Sequence, residues 1–357
     1  MATPTPTTAT LSIPLVDYGK SLHGSEAEQK EVAAQIDDAF RNVGFVYLIN
    51  HGIPQEKVDE CFDWSAKFFA LPTSTKLLAP HPPGGSHHRG YSGLGQEKVS
   101  QNVFEEDQIS KLREVPDVKE SYESGNTKDE MQPNIWLPED KLPGFRRFME
   151  GFFEDCAALV HKLLDTLSLA LSVPSLSPTH SLSLFQLRLL HYPSLPTRLL
   201  RTNAKARINA HSDFGTLTLL FQDNVGGLEI QDPRFVDKGE EGFRPVPPVP
   251  GAVLVNIGDL MARWSNERWK STVHRVGAPP AIPETEASTQ TQKAENGHEL
   301  EQEEMCRPRY SIPFFASANI DAVVDALPGC VDDQHPKLYE PVTAWEYVQM
   351  RMAALYS

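Results

Sequence analysis

The stretch INAHSDFGTLTLLFQD, Ile208 to Asp223, sets His211 and Asp213 two residues apart at the mouth of an apolar run. Read alone, the pair is either a turn between two strands or two ligands of one metal ion. Residues two apart on a strand point to the same side, so both side chains can reach one ion while Ser212 points elsewhere. In a chain with twelve histidines one such pair arises by chance, and the reading depends on what accompanies it.

The company lies in the second half of the chain. After Pro178 the texture becomes a series of short β-type runs, LFQLRLLHY, TLTLLF, GGLEIQ, GAVLVNI, STVHRV and YSIPFF, separated by Gly, Pro and Asn turns. Such a succession predicts a sandwich or barrel rather than a βαβ sheet. His274 in KSTVHRVG lies 63 residues after His211 on a strand of its own and supplies a third vertex. Two histidines and one carboxylate form the facial triad suited to non-haem Fe(II) and oxygen chemistry. They hold the ion from one face, offset one of its two charges and leave three positions for a cosubstrate and O2.

Arg309 and Ser311 in RPRYSIPFF share another strand face. A guanidinium fork beside a hydroxyl grips the distal carboxylate of a dicarboxylic acid. An arginine in an apolar run is otherwise costly, and its alternative is a buried ion pair with an acidic residue of the chain. Phe315, six residues on, falls on the same face.

Upstream, SEAEQKEVAAQIDDAFRNV spaces its apolar residues at three and four and predicts a helix stopped at Gly44, followed by the buried strand GFVYLIN. A second amphipathic helix follows Pro54 and ends before Pro72. Pro143 to Val173 predicts a long helix with Phe145, Phe148, Phe152, Cys156, Leu159, Leu163 and Leu167 on one stripe, backing the sheet. TAWEYVQMRMAALY predicts a closing helix. Between the last two strands, PPAIPETEASTQTQKAENGHELEQEE carries seven Glu against one Lys with no apolar period, the composition of a disordered insertion. The expected organisation is a disordered lead over 1–10, a helical and strand region over 11–175 packing on a core over 180–320, the acidic insertion over 280–305, and a helical C-terminal region over 321–357.

Composition narrows the function. A formal charge of −15 with no basic stripe argues against nucleic acid, and no apolar run has the length of a membrane span. Cys61, Cys156, Cys306 and Cys330 are dispersed, as reduced structural thiols are, and with no signal-like start this predicts a cytoplasmic protein. Several features read as structural. His191 alternates away from Arg188 and Tyr192, Asp259 suits a turn or cap, Trp264 and Trp269 pack, Gly226-Gly227 reads as a hairpin turn, and His87, His88 and Arg89 as a solvated loop, with a mobile loop covering the cavity as the alternative.

The motifs IPLVDY, GFVYLINHGIP, SAKFFALP, HSDFGTLTLLFQDNVGGLEIQ, VNIGDLMARWSNERWKSTVHRV and RYSIPFF occur in the order found in one known family. Through them the chain resembles the Fe(II)/2-oxoglutarate-dependent oxygenases of the isopenicillin N synthase-like family along nearly its whole length. RGYSGLGQEKVSQ, DVKESYESG, LRLLHYP and LMARWSN are most similar to its fungal thymine dioxygenase branch. The resemblance implies a mainly β protein with flanking α elements, a distorted double-stranded β-helix (jelly roll, cupin-like) with N-terminal helices and a C-terminal helix. It implies that His211, Asp213 and His274 bind Fe(II), that Arg309, Ser311 and Tyr192 bind 2-oxoglutarate, and that O2 is the second cosubstrate. Arg188, Phe214 and Phe315 match positions that shape the substrate pocket. An arginine on a strand can equally pair with a structural carboxylate. Phe214 stands where that branch has tyrosine, and Leu190 where plant relatives have asparagine.

The expected reaction is hydroxylation of a C–H bond in a small molecule, a pyrimidine- or pyridine-like heterocycle, with release of succinate and CO2. No catalytic side chain is needed beyond the metal centre. The alternatives are desaturation, ring expansion or cyclisation of a fungal secondary metabolite, and an idle binding or sensor protein on the same fold. The sequence names no protein partner.

Overall fold

The computed structural model describes residues 12–83, 87–96, 117–202, 204–232, 234–235, 242–279 and 304–356. The lead over 1–10 and the acidic segment over 280–303 lie outside the described residues. That segment was expected to run to residue 305, but Met305 already begins a strand, Met305–Cys306, paired with Leu195–Pro196.

Sixteen strands and eight helices are described. The strands that matter here are β1 (Leu15–Asp17), β2 (Phe45–Ile49), β3 (Gly90–Ser92), β4 (Glu120–Gly125), β5 (Gln186–Tyr192), β6 (Leu195–Pro196), β7 (Ile208–His211), β8 (Leu217–Gln222), β9 (Leu228–Gln231), β10 (Phe243–Pro245), β11 (Val253–Ile257), β12 (His274–Val276), β13 (Met305–Cys306) and β14 (Arg309–Ala316). They build a large sheet in the order β1-β2-β11-β8-β14-β5-β4-β3 and a small one in the order β10-β9-β12-β7. Apolar side chains from both sheets, among them Phe45, Leu190, Tyr192, Ile208, Ile230, Leu254 and Val276, meet in one cluster between them. This two-sheet arrangement is the jelly roll expected from the sequence, left open rather than closed into a barrel.

Helices cover the other face of the large sheet. Helix α1 (Gly19–His23) is one turn; α2 (Glu26–Asn42) starts at a capping box in which the Ser25 hydroxyl accepts from the Glu28 amide and the Glu28 carboxylate accepts from the Ser25 amide. Its buried face is Val32, Ala33, Ile36, Ala39 and Phe40, the residues spaced at three and four. Gly44 ends it at φ 79°, where a Cβ would stand 2.3 Å from the Lys270 carbonyl, so both conformation and space require glycine. Helix α3 (Gln55–Phe69) follows Pro54, and α4 (Thr73–Lys76) follows Pro72. Helix α5 (Phe145–Leu171) lays Phe152 and Phe153 against Phe221 of β8 and Phe314 of β14, with ring centroids 5.5 and 5.2 Å apart. The stripe read from the sequence thus backs the sheet, with Phe148 at its half-buried edge. Helices α6 (Thr197–Arg201) and α7 (Asp259–Trp264) are short, and α8 (Ala344–Tyr356) closes the chain.

One local reading is corrected. Gly226-Gly227 does not close a hairpin, because β8 belongs to the large sheet and β9 to the small one. Both glycines have positive φ and carry the chain across the edge between sheets, and a Cβ on Gly227 would stand 2.9 Å from the Gly277 carbonyl.

Candidate metal and cosubstrate site

The antiparallel pairing of β12 with β7 sets His274 directly opposite His211. Asp213 lies two residues past the end of β7, so the His-x-Asp pair straddles a strand end rather than sitting within the strand. Ser212 turns its hydroxyl to Asp259, 3.1 Å away. The imidazoles of His211 and His274 have centroids 4.4 Å apart, and His274 Nε2 is 3.8 Å from Asp213 Oδ1. One ligand atom from each of the three residues lies within 4.8 Å of the others.

The groups behind these atoms aim them. His211 Nδ1 contacts the Asn209 carbonyl at 2.8 Å and His274 Nδ1 the Thr272 carbonyl at 3.1 Å. A carbonyl only accepts, so each Nδ1 carries the proton and each Nε2 presents a lone pair inward. Asp213 Oδ2 accepts from Thr218 Oγ1 at 2.6 Å and Asn256 Nδ2 at 2.7 Å, leaving Oδ1 toward the histidines. Burial, with His274 adding to it, pushes His211 down to about 3, so the imidazole is neutral at neutral pH. Burial works to raise the Asp213 carboxyl, but His274, His211 and the two hydrogen bonds outweigh it and hold it below its ordinary value. Two neutral nitrogens and one carboxylate oxygen on one side of a common point fit a divalent iron.

Arg309 and Ser311 enter from β14, and Tyr192 from β5 directly opposite Arg309. Arg309 is 1% exposed; its guanidinium donates to Ser311 Oγ at 3.1 Å and Gln222 Oε1 at 3.3 Å and lies 5.1 Å from the centre of the Tyr192 ring. Among the described residues no carboxylate lies within ion-pair distance of it. Among the described residues Arg309 thus has no buried ion pair of the kind weighed as the alternative. The cation faces neutral partners on the wall of a cavity, as a receptor for an outside carboxylate would.

That cavity, about 890 Å³, is lined by all nine residues singled out from the sequence. Arg188 lines it and forms an ion pair with the fully buried Glu123 of β4, the structural pairing weighed as the alternative for it. Glu123 also accepts from Gln186 Nε2 at 2.6 Å. Phe214 carries the Arg351 guanidinium of α8 over its ring at 4.4 Å, and Arg351 also pairs with Asp259. Asp259 is the first residue of α7, but Gly258 is the cap and no side chain caps the helix; the Asp259 carboxylate, raised by burial, accepts from Ser212 and Arg351 instead.

The solvated-loop reading of residues 87–89 is corrected. His87 is exposed, but Arg89 is 3% exposed, paired with Asp129 at 3.0 Å, and His88 lines the cavity 3.5 Å from Glu123. His81, His88 and Glu123 also bring three possible metal donors together. Both Glu123 oxygens are already engaged, by Arg188 and by Gln186 with His88, which makes this a hydrogen-bonded wall. His191 packs as expected, bonded to Glu120 at 2.8 Å and stacked on Tyr310, and Trp264 and Trp269 are buried. Thr218, Gln222, Glu123, Asn256 and Arg351 were not found from the sequence. The cavity, its converging donors and its paired arginine are the product of strands brought together from the whole chain.

Comparison with known proteins agrees with this geometry. Residues 13–139 match the model described as the non-haem dioxygenase in morphine synthesis N-terminal, and residues 184–318 that of the 2OG-Fe(II) oxygenase superfamily. The 2-oxoglutarate-dependent dioxygenase frbA of Dothideomycetidae sp. (strain 11243) is 38% identical over 97% of this chain and 98% of its own. Proline hydroxylase buaE of Petromyces alliaceus is 35% identical over 97% of this chain and all of its own. Full-length Neurospora crassa T7H, solved with alpha-KG and thymine, superposes with a TM-score of 0.80 at 35% identity over 98% of each chain.

Proposed function

The chain belongs to the 2OG-Fe(II) oxygenase superfamily and is a 2-oxoglutarate-dependent dioxygenase using Fe(II); from that premise we propose that it hydroxylates a C–H bond of a small nitrogen heterocycle. His211, Asp213 and His274 would hold the iron, and Arg309, Ser311 and Tyr192 the 2-oxoglutarate. Once bound, iron and 2-oxoglutarate would supply the oxidant by reaction with O2, one oxygen atom going into succinate as CO2 is released and the other to the substrate C–H bond. The chain's own part is to position and to exclude water. Ring and aliphatic groups of Phe45, Leu190, Phe214, Leu228 and Phe315 surround the centre and keep the substrate carbon in an apolar setting.

The observation that carries the substrate class is the anchoring of Gln186 and Arg188 on Glu123. These residues stand two apart on β5 and both line the cavity. Glu123 takes the Gln186 amide nitrogen, leaving its carbonyl as acceptor, while Arg188 presents N–H donors. An acceptor beside a donor matches the N–H and C=O edge of a cyclic amide or imide. Phe214 and Phe315 flank it with rings on which a flat heterocycle stacks. Thymine and 5-formyluracil, held by the Neurospora protein, have such an edge.

A second reading has its own support. The curated relatives include a proline hydroxylase, and Arg188 suits the carboxylate of a cyclic amino acid as well. The substrate is then a saturated ring feeding a fungal secondary metabolite. We place the enzyme in the cytoplasm, supported by four buried, unpaired thiols.

The test begins with anaerobic addition of Fe(II) and 2-oxoglutarate, which should give the visible charge-transfer band of the chelate in wild type and none in His211→Ala. Succinate release is then scored against pyrimidines, pyridones and cyclic amino acids. Stimulation by the first two groups supports the imide-edge reading. Stimulation by cyclic amino acids alone replaces it with the second, and no response to any ring compound ends both.

A further inference from the structure

Beside Arg309, Arg188 and the Asp129-paired Arg89, the cavity is lined by a fourth cation that neither the sequence motifs nor the substrate wall accounts for. Lys119 is 2% exposed, lines the cavity and lies one residue before β4. Continuing the β4–β5 register, in which Glu120 faces His191, places Lys119 beside Tyr192. Tyr192 in turn faces Arg309 across β5 and β14. Lys119, Tyr192 and Arg309 therefore form one row across the large sheet. The next cavity-facing rows hold Ser121, Leu190 and Ser311, then Glu123 and Arg188. The two cations of the first row stand at the cosubstrate end, and Arg188 belongs to the substrate end.

The segment that carries Lys119 is also tied to the metal strand. Val118 donates its amide to the Ala206 carbonyl, and Asp117 Oδ1 accepts from the side chain and the amide of Asn209, at 2.9 and 3.3 Å. Asn209 is the residue whose carbonyl orients His211. Lys119 Nζ lies 3.9 Å from Asp117 Oδ2, an ion pair longer than a hydrogen bond. An ammonium carries three donors on a flexible stem, so it can turn from a carboxylate at that distance to an incoming one.

2-Oxoglutarate has a carboxylate at each end. Arg309 and Ser311 serve one end only, and the other must lie at the iron, among His211, Asp213 and His274. We propose that Lys119 binds this second, metal-side carboxylate of 2-oxoglutarate, so that the cosubstrate is held by one cation at each end. The inference rests on the family's cosubstrate and is independent of the substrate class.

The test measures binding without turnover. Wild type, Lys119→Met and Arg309→Met are loaded anaerobically with Fe(II), or with Mn(II), and titrated with 2-oxoglutarate and with 2-oxobutyrate, which keeps the oxo-acid end and lacks the distal carboxylate. Lys119→Met should weaken both ligands by the same factor, about tenfold or more for a lost charge-assisted hydrogen bond, while metal affinity stays unchanged. Arg309→Met should weaken 2-oxoglutarate and spare 2-oxobutyrate. Asp117→Asn keeps the Asn209 contact through its amide oxygen and removes the competing charge, so it should tighten both ligands; this arm remains decisive if Lys119→Met does not fold. Affinity for 2-oxoglutarate within twofold of wild type in a folded Lys119→Met overturns the proposal. So does a penalty that vanishes with 2-oxobutyrate, or an Asp117→Asn variant that binds no more tightly than wild type.

Discussion

Asp213 is aimed by two hydrogen bonds, and removing either should be read first as a loss of iron. Thr218 Oγ1 and Asn256 Nδ2 hold Oδ2 at 2.6 and 2.7 Å, and all three residues are at most 7% exposed, so water does not readily take the place of either donor. Thr218→Val and Asn256→Ala each leave a buried carboxylate with one donor. A hydrogen bond to a charged group contributes about 1.5–3 kcal/mol, but part of that stabilises the metal-free protein equally. The remainder, the loss of aim at Oδ1, matches the 10–100-fold fall in metal affinity typical of orienting partners, about 1.4–2.8 kcal/mol. Affinity is measured by competition of Co(II) or anaerobic Fe(II) against a chelator. Ser212→Ala is the control, because Ser212 sits between the ligands yet bonds Asp259 instead. Wild-type affinity in both variants, or an equal loss in Ser212→Ala, would refute the view that carboxylate orientation is the cause.

Other perturbations reach the same scaffold from different sides. A double-mutant cycle on Arg351→Met and Phe214→Leu, read by urea unfolding, should show coupling of about 0.5–2 kcal/mol for the buried cation over the ring; strict additivity would remove α8 from any role in holding Phe214. Gly215→Ala places a Cβ 2.2 Å from the Ala316 carbonyl and should cost about 1–3 kcal/mol on unfolding, whereas a neutral effect would mean that the ligand loop and the end of β14 are not in close contact. Glu120 accepts from Tyr91, Lys76 and His191; burial acts to raise its carboxyl, but these bonds outweigh burial and hold it down to about 2. Its folded value is below its unfolded one, so its contribution is complete above about pH 4.5 and is lost as pH falls toward 2. The gap in Tm between wild type and Glu120→Gln should narrow over that window, and a constant gap would place the stabilisation elsewhere.

What could be read from the sequence follows a physical division. His211, Asp213, His274, Arg309 and Ser311 were legible because each is an expensive residue in a β-type run, and period-two alternation says which of them share a face. The helix from Glu26 and the long helix from Phe145 were legible for the matching reason, apolar spacing plus a cap or a glycine stop. The groups that aim the site were not legible, because they meet only when distant strands pair. Asn256 is 43 residues from Asp213, Gln222 is 87 from Arg309, Glu123 is 65 from Arg188 and Arg351 is 92 from Asp259. A carboxylate on β4 has no mark in its own sequence to show that it faces an arginine on β5. Arg89 shows the same limit from the other side. Gly, Pro and His around it predict a wet loop, yet the strand that follows at Gly90 joins the edge of the large sheet and buries the guanidinium against Asp129. Local chemistry therefore picked out the atoms proposed to meet the iron and one end of the cosubstrate. The pairing of strands supplied the polar wall, and with it the donor and acceptor edge on which the choice between an imide ring and a cyclic amino acid turns.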